Sequence, residues 1–241
     1  MATTQRIIIS ALIILFAASL IRMSSAEPGG PDLTYIGNSS LDTSTPANRT
    51  DSGGAIHTIS ISAILQDQMW KAYVGNITGL LTLDDANGYT IYDWTLAAPT
   101  GEVYITRDSS VSWGSINCSN ATHILTEQSS FLMQPTAVDN INKTFNETIH
   151  ASFLVGTLNM TESSCQTAYT YVNDSKQTGD LSNPFQEVLL SDGSNLIYTT
   201  IIEADEMGYD PGQTYDFQAI VAENASSTAP DATYFFFVEL G

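Results

Sequence analysis

The chain has 241 residues and a formal net charge of −19, because 26 Asp and Glu face only 7 Lys and Arg. Lysine occurs only at positions 71, 143 and 176. A surface so poor in basic side chains cannot neutralise phosphates, which excludes nucleic acid as a partner and disfavours anionic lipid surfaces.

The first 26 residues have the pattern of a secretory signal peptide. Arg6 precedes an apolar run over residues 7–21, and small residues follow up to Ala26. An uncleaved membrane anchor is the alternative, but fifteen residues fall short of the roughly 20 that span a bilayer core. We therefore expect cleavage after Ala26, an extracellular, cell-surface protein, and no membrane contact after cleavage.

Residues 27–54 are expected to form an extended segment followed by a flexible linker rich in Ser, Thr, Asn, Pro and Gly. A short apolar stretch precedes the linker and consists of Leu33, Thr34, Tyr35 and Ile36. This stretch either packs on its own domain, remains a disordered tail, or adds a strand to the sheet of a neighbour. It is the candidate for strand exchange.

Residues 55–241 are predicted to form one all-β domain, an antiparallel sandwich of the immunoglobulin-like or jelly-roll-like kind with a little helix. Alternating apolar residues predict a strand over 55–63. A hairpin closed by a two-residue turn at Asn87 and Gly88 comes next, with both turn residues at positive φ. The register pairs Leu81 with Trp94 and Leu83 with Tyr92, on a face that we expect to be buried.

The second half of the domain contains weaker helical and stronger strand signals. Short helical turns are expected within 125–133 and 139–148, and a second hairpin around Asp192 and Gly193. Residues 234–238 are five large apolar residues in a row, which do not alternate. Such a strand is covered on both faces, and we place it in the middle of a sheet or in an interface.

Asn-X-Ser/Thr triplets, the acceptors for N-linked glycans, are strongly enriched. Ten of the 14 Asn residues begin one, whereas the Ser and Thr content would place roughly 3 there by chance. Glycans must face solvent, so we predict a sugar-covered surface. The predicted acceptors are Asn38, Asn48, Asn76, Asn117, Asn120, Asn142, Asn146, Asn159, Asn173 and Asn224.

The cysteines and acidic residues offer few other sites. Cys118 and Cys165 are predicted to form one disulfide, as expected for an exported chain. No nucleophile elbow, zinc motif or phosphate loop is present in the sequence. No cofactor is expected, although the acidic loop with Asp205, Glu206 and Asp210 is a weak Ca²⁺ candidate. The Trp residues at 70, 94 and 113 could stack on sugar rings, but core packing is the preferred interpretation, especially for Trp94.

Several segments resemble uncharacterised secreted β-rich surface proteins of archaea. The resemblance rests on MWKAYVGNITG, LTLDDANGYTIYDW, PTGEVY, Ser-Ile-Asn-Cys118 and the final YFFFVEL. It covers most of the chain after residue 26 and implies an exported, glycosylated surface protein with no assigned activity. Subunits of archaeal surface filaments share the signal peptide, dense glycan triplets, β-sandwich and tethered N-terminal strand.

Three functions follow from these observations. We expect a structural filament or coat subunit, not an enzyme, that self-associates by β-strand addition; an edge groove lined with apolar side chains and empty in the monomer would favour it. The alternative is a monomeric adhesin or carbohydrate-binding module, which a patch exposing Trp70 or Trp113 beside acids would favour. A secreted hydrolase is least favoured and would require a cleft with two facing carboxylates, one of raised pKa.

Overall fold

The computed structural model describes residues 27–41, 48–224 and 230–241. The predicted signal peptide and the middle of the predicted linker, residues 42–47, lie outside these ranges. Within them the chain forms a largely antiparallel β structure with two short α-helices and a 3₁₀ turn at Trp113–Ser115. The strands are β1 Trp70–Gly75, β2 Leu80–Asp84, β3 Thr90–Thr95, β4 Gly101–Thr106, β5 Asn117–Cys118, β6 Phe153–Val155, β7 Leu158–Met160, β8 Thr167–Tyr169, β9 Gln186–Ser191, β10 Leu196–Ile201, β11 Glu206–Met207, β12 Thr214–Tyr215, β13 Phe217–Ala222 and β14 Phe235–Leu240.

A six-stranded antiparallel sheet forms the centre of the molecule. Its strand order is β14-β4-β10-β9-β5, and β8 also pairs with β9. Side chains alternate between the two faces of this sheet because strands have a period of two. On β4, Ile105 enters one apolar cluster and Tyr104 enters the other. Both faces of the sheet are therefore buried.

Different elements cover the two faces. One face packs against the two-stranded sheet β1–β13 and against helices α1, Ala121–Ser130, and α2, Ile141–Thr144. The other face packs against the β6–β7 hairpin and the segment around Trp113. The predicted antiparallel sandwich with a little helix is thus confirmed, and both predicted helical segments contain a helix.

Helix α1 begins where local hydrogen bonding favours a cap. The Asn120 side chain accepts from the backbone N–H groups of Thr122 and His123, and His123 Nδ1 accepts from the Asn120 N–H. This reciprocal arrangement satisfies amides that the first helical turn leaves unpaired. The helix buries Ile124 and Glu127 against the sheet.

The hairpin β2–β3 has the predicted pairing but a different turn. Leu81 lies opposite Trp94 and Leu83 opposite Tyr92, after which a bulge shifts the register. Of the two predicted turn residues only Gly88 has positive φ. The Asp85 carboxylate accepts from the N–H groups of Asn87 and Tyr89. These bonds favour a four-residue turn starting at Asp85 over the predicted two-residue turn, which is wrong.

The other hairpin prediction is confirmed. β9 and β10 pair around Asp192 and Gly193, with Leu196 opposite Ser191. Asp192 accepts from the N–H groups of Ser194 and Asn195. The turn therefore fixes two fully buried strands in the middle of the central sheet.

Candidate functional site

The last strand, β14, occupies the edge of the central sheet. It pairs with β4 on one side, and on its outer side Val238 exchanges two backbone hydrogen bonds with Gly29, of 3.0 and 2.8 Å. In an antiparallel ladder every second residue directs its N–H and C=O to the same side. Phe236 and Leu240 therefore present their backbone groups to this outer edge as well. Gly29 is the one bridging partner on that edge among the residues described.

Although β14 is an edge strand, both of its faces are packed. The Phe236 ring meets Tyr73 of β1 edge-on at 4.9 Å, and on the opposite face Phe237 meets Trp113 at 5.2 Å. The prediction that this strand is covered on both faces is confirmed. Its predicted position in the middle of a sheet is wrong for the single chain, which leaves the interface alternative.

Residues 55–65 form an exposed stretch rich in large apolar side chains. Ile59 is 61% exposed, Ile61 82% and Leu65 85%. The predicted strand over residues 55–63 is wrong, since none of these residues belongs to a strand. The alternation is typical of a strand, but a strand forms only when a neighbour satisfies its backbone, and the folded chain supplies none here.

The predicted strand-exchange residues are also exposed. Leu33, Tyr35 and Ile36 each expose most of their surface and lie outside any strand, as does Thr34. They follow Gly29 by a few residues, so this segment pairs with β14 at Gly29 and makes no further bridge over residues 33–36.

The hairpin β2–β3 carries a second exposed apolar surface. All of its residues are exposed, and the rings of Tyr92 and Trp94 lie 4.8 Å apart. The expectation that this face is buried is wrong, as is the preferred core role of Trp94, which is 50% exposed. Core packing does hold for Trp70, whose indole N–H donates to the Asp139 carbonyl, and for Trp113.

A buried pair of carboxyl groups joins β4 to β14. Glu102 and Glu239 are directly opposite in register, and the Tyr104 hydroxyl lies 3.5 Å from Glu102 Oε2 and 3.2 Å from Glu239 Oε2. The backbone N–H of Gly156 donates to both Glu239 oxygens. Burial, followed by the charge of Glu239, raises the pKa of Glu102 to about 8.

This pair lacks the cleft that carboxylate catalysis requires. Both side chains are less than a tenth exposed. Two facing carboxyl groups with one raised pKa match the hydrolase criterion in part, but a buried pair has no room for substrate. Sequence reasoning missed it, although an acid in each of two apolar strands, GEVYIT and FFFVEL, is a signal that could have been used.

The glycan triplets lie mostly on the surface. Nine of the ten acceptor Asn residues are exposed, and Asn224 is partly exposed. The contrast is Asn140, which begins no triplet and is buried, with its amide nitrogen donating to three backbone carbonyls. The positions are therefore compatible with attached sugar.

The disulfide prediction is confirmed: Cys118 of β5 is bonded to Cys165. In the acidic loop, Asp205, Glu206 and Asp210 are all exposed, and the backbone N–H of Asp205 donates to the Asp216 carboxylate. Across the described ranges no three His, Cys, Asp or Glu side chains come together as metal ligands.

Comparison with protein-family models, with curated proteins and with solved structures finds no match to this chain. Among the helices of the described residues, none is long and apolar enough to cross a membrane. A function for this chain is therefore proposed from the geometry of the molecule.

Proposed function

We propose that this chain is a secreted, N-glycosylated structural protein of a cell surface, a filament or coat subunit that assembles by β-strand addition. The observation that carries the proposal is the exposure of strand-type apolar sequence in a chain whose central sheet has an open edge. Residues 33–36 and 55–65 lie outside any sheet, and β14 has an outer edge with one bridge. Exposed apolar strands and open edges are what natural monomers avoid.

The sugar acceptors support the same function. Exposed Asn triplets occur on strands, turns and loops around the sandwich, and glycan on them would limit contact with large protein partners. Added strands bind through backbone hydrogen bonds and need only a narrow edge. Assembly by strand addition is thus compatible with a surface otherwise covered by sugar and carrying few bases.

The alternative is a monomeric adhesin that binds carbohydrate, and the β2–β3 hairpin favours it. Its exposed Tyr92 and Trp94 rings lie side by side, and aromatic faces suit the C–H face of a pyranose. Asp93 points to the opposite side of the same strand, since side chains alternate. The aromatic face therefore has no carboxylate at its centre to bind sugar hydroxyls.

Electron microscopy of native cell surfaces and of purified secreted protein tests the proposal. Ordered fibres or sheets that contain this chain, together with glycans located by mass spectrometry on the exposed Asn residues, are expected. Secreted protein without glycans that remains as single particles on the surface would overturn it.

A further inference from the structure

We propose that the outer edge of β14 is the acceptor for an added strand, and that the donor is residues 59–65 of a second copy of this chain. The inference rests on the proposed assembly function and adds to it the two surfaces that meet. It replaces residues 33–36 as the donor.

The open side of the sandwich is the one where β14 and β1 both end their sheets. Tyr73 of β1 contacts Phe236 of β14, so the two outer strands lie one above the other. On the opposite side, Glu187 Oε2 accepts from the Ile220 N–H of β13, and the two-residue strand β5 carries Cys118 of the disulfide. On this side β14 is a six-residue strand of the central sheet, and its outer edge carries one bridge as far as the described residues extend.

The chain's own N-terminal segment cannot fill that edge. The Gly29–Val238 pair sets an antiparallel register in which Pro31 lies opposite Phe236. Proline has no N–H, so it cannot donate to the Phe236 carbonyl. Pairing beyond this point would require residues 33–36, and Leu33 is instead exposed. The N-terminal segment therefore pairs with β14 at one residue only, and a longer strand could displace it.

Residues 59–65 have the properties of that longer strand. Ile59, Ile61 and Leu65 share one face with Ala63, while Ser60, Ser62 and Ile64 lie on the other. No Asp, Glu, Lys or Arg occurs from position 52 to 66 in a chain of net charge −19, so docking brings no carboxylates of the donor against the acidic chain. Most of the surface of Ile59, Ile61 and Leu65 is exposed in the single chain.

The donor is separated from its own β1 by a bend. Residues 68 and 69 form the bend, and the Asp67 carboxylate accepts from the Met69 N–H at 2.7 Å. Among the described residues, the one hydrogen bond made by residues 55–65 joins His57 to the Ser52 carbonyl. Because neither β1 nor β14 of the same chain engages this segment, a second copy is the occupant that the geometry favours.

Hydrogen–deuterium exchange of the full secreted, glycosylated chain tests this pairing. With rising protein concentration, peptides covering residues 234–241 and 55–66 should gain protection together. Ile61→Asp places a carboxylate on the buried face of the added strand, and it should raise the concentration for half-maximal protection by at least about tenfold. Ser60→Asp adds the same charge on the opposite face, next to Ser62, and should leave both protections unchanged.

The other outcomes separate this inference from the assembly proposal. Oligomers without protection of residues 234–241 would overturn the acceptor edge and leave assembly standing. Loss of assembly in Ile36→Asp but not in Ile61→Asp would return the donor role to residues 33–36. Protection that does not depend on concentration would show that the segment closes on its own chain. A chain that stays monomeric at every concentration would overturn both proposals.

Discussion

Glu102 and Glu239 face each other across β4 and β14, and one tyrosine hydroxyl, that of Tyr104, lies within hydrogen-bonding distance of both carboxyl groups. The pair links the edge strand β14 to β4, the strand beside it in the sheet. Because burial and the charge of Glu239 raise the pKa of Glu102 to about 8, this link depends on pH.

The contribution of Glu102 to the free energy of unfolding should fall as the pH rises. A carboxyl group whose pKa is raised in the folded state binds more protons there than in the unfolded chain, so its stabilising contribution is complete below about pH 4.5 and lost as the pH passes about 8. Each pKa unit corresponds to about 1.4 kcal/mol, which predicts a loss of a few kcal/mol. Burial also raises the pKa of Glu187 well above its ordinary range, which adds a loss of the same sign.

The Glu102→Gln variant isolates the first contribution. In urea titrations between pH 5 and 9, roughly the interval over which Glu102 titrates, its free energy of unfolding should decline less than that of the wild type. It should not become flat, because Glu187 remains. Glu147→Gln changes an exposed carboxylate and should follow the wild type. Equal slopes in Glu102→Gln and the wild type would contradict the assignment.

Two tryptophans should differ in their effect on stability. The ring of Trp113 lies 5.1 Å from that of Tyr104 and 5.2 Å from that of Phe237, between ring centroids. Trp113→Ala should therefore lower the free energy of unfolding by about 3 kcal/mol. Trp94 is exposed on the separate β2–β3 hairpin, and Trp94→Ala should change the free energy of global unfolding by less than about 0.5 kcal/mol. Thermal unfolding followed by circular dichroism measures both. A large loss from Trp94→Ala would show that the hairpin is part of the core.

The pair of Arg107 and Glu127 joins α1 to the end of β4. Two charge-assisted hydrogen bonds of 2.9 and 2.6 Å connect them, and Glu127 is buried. Arg107→Ala leaves that carboxylate without its cation, and after allowance for the partly exposed arginine we expect a loss of about 2 kcal/mol. Arg49→Ala, which breaks an exposed pair with Asp51, should lose less than about 0.5 kcal/mol. Equal losses of unfolding free energy in Arg107→Ala and Arg49→Ala, measured by denaturant unfolding, would contradict the structure.

The disulfide should contribute more than either ion pair. Cys118 and Cys165 are 47 positions apart, and closing such a loop is worth about 4 kcal/mol in the chain-entropy model. The double Cys→Ser variant should lose this amount in guanidinium titrations. A reducing agent should lower the free energy of unfolding of the wild type by a similar amount and leave that of the variant unchanged. Variant stability equal to the oxidised wild type would refute the estimate.

Sequence patterns predicted the interior well because burial imposes periodicity. β9, β10 and the two-faced packing of Phe236 and Phe237 follow from runs of apolar residues. The patterns failed where the partner of a strand decides its state. Residues 55–63 alternate like a strand, and residues 234–238 resemble a central strand. Within the described part of the chain, however, the first segment pairs with no strand and the second pairs with one.

Long-range pairing is what local patterns cannot specify. The acids at 102 and 239 meet only because β14 returns beside β4, which no periodicity encodes. The turn at Asn87 and Gly88 failed for a local reason, since the Asp85 side chain competes for the backbone amides. The exposed hairpin shows that sequence alternation identifies an apolar face but does not identify what covers that face.

Sedimentation velocity of the glycosylated wild-type chain over a wide concentration range tests strand-addition assembly most directly. The account predicts species larger than the monomer that grow with concentration, and a return to monomer in Ile61→Asp. A single monomeric boundary at the highest concentration, identical for wild type and variant, would contradict it.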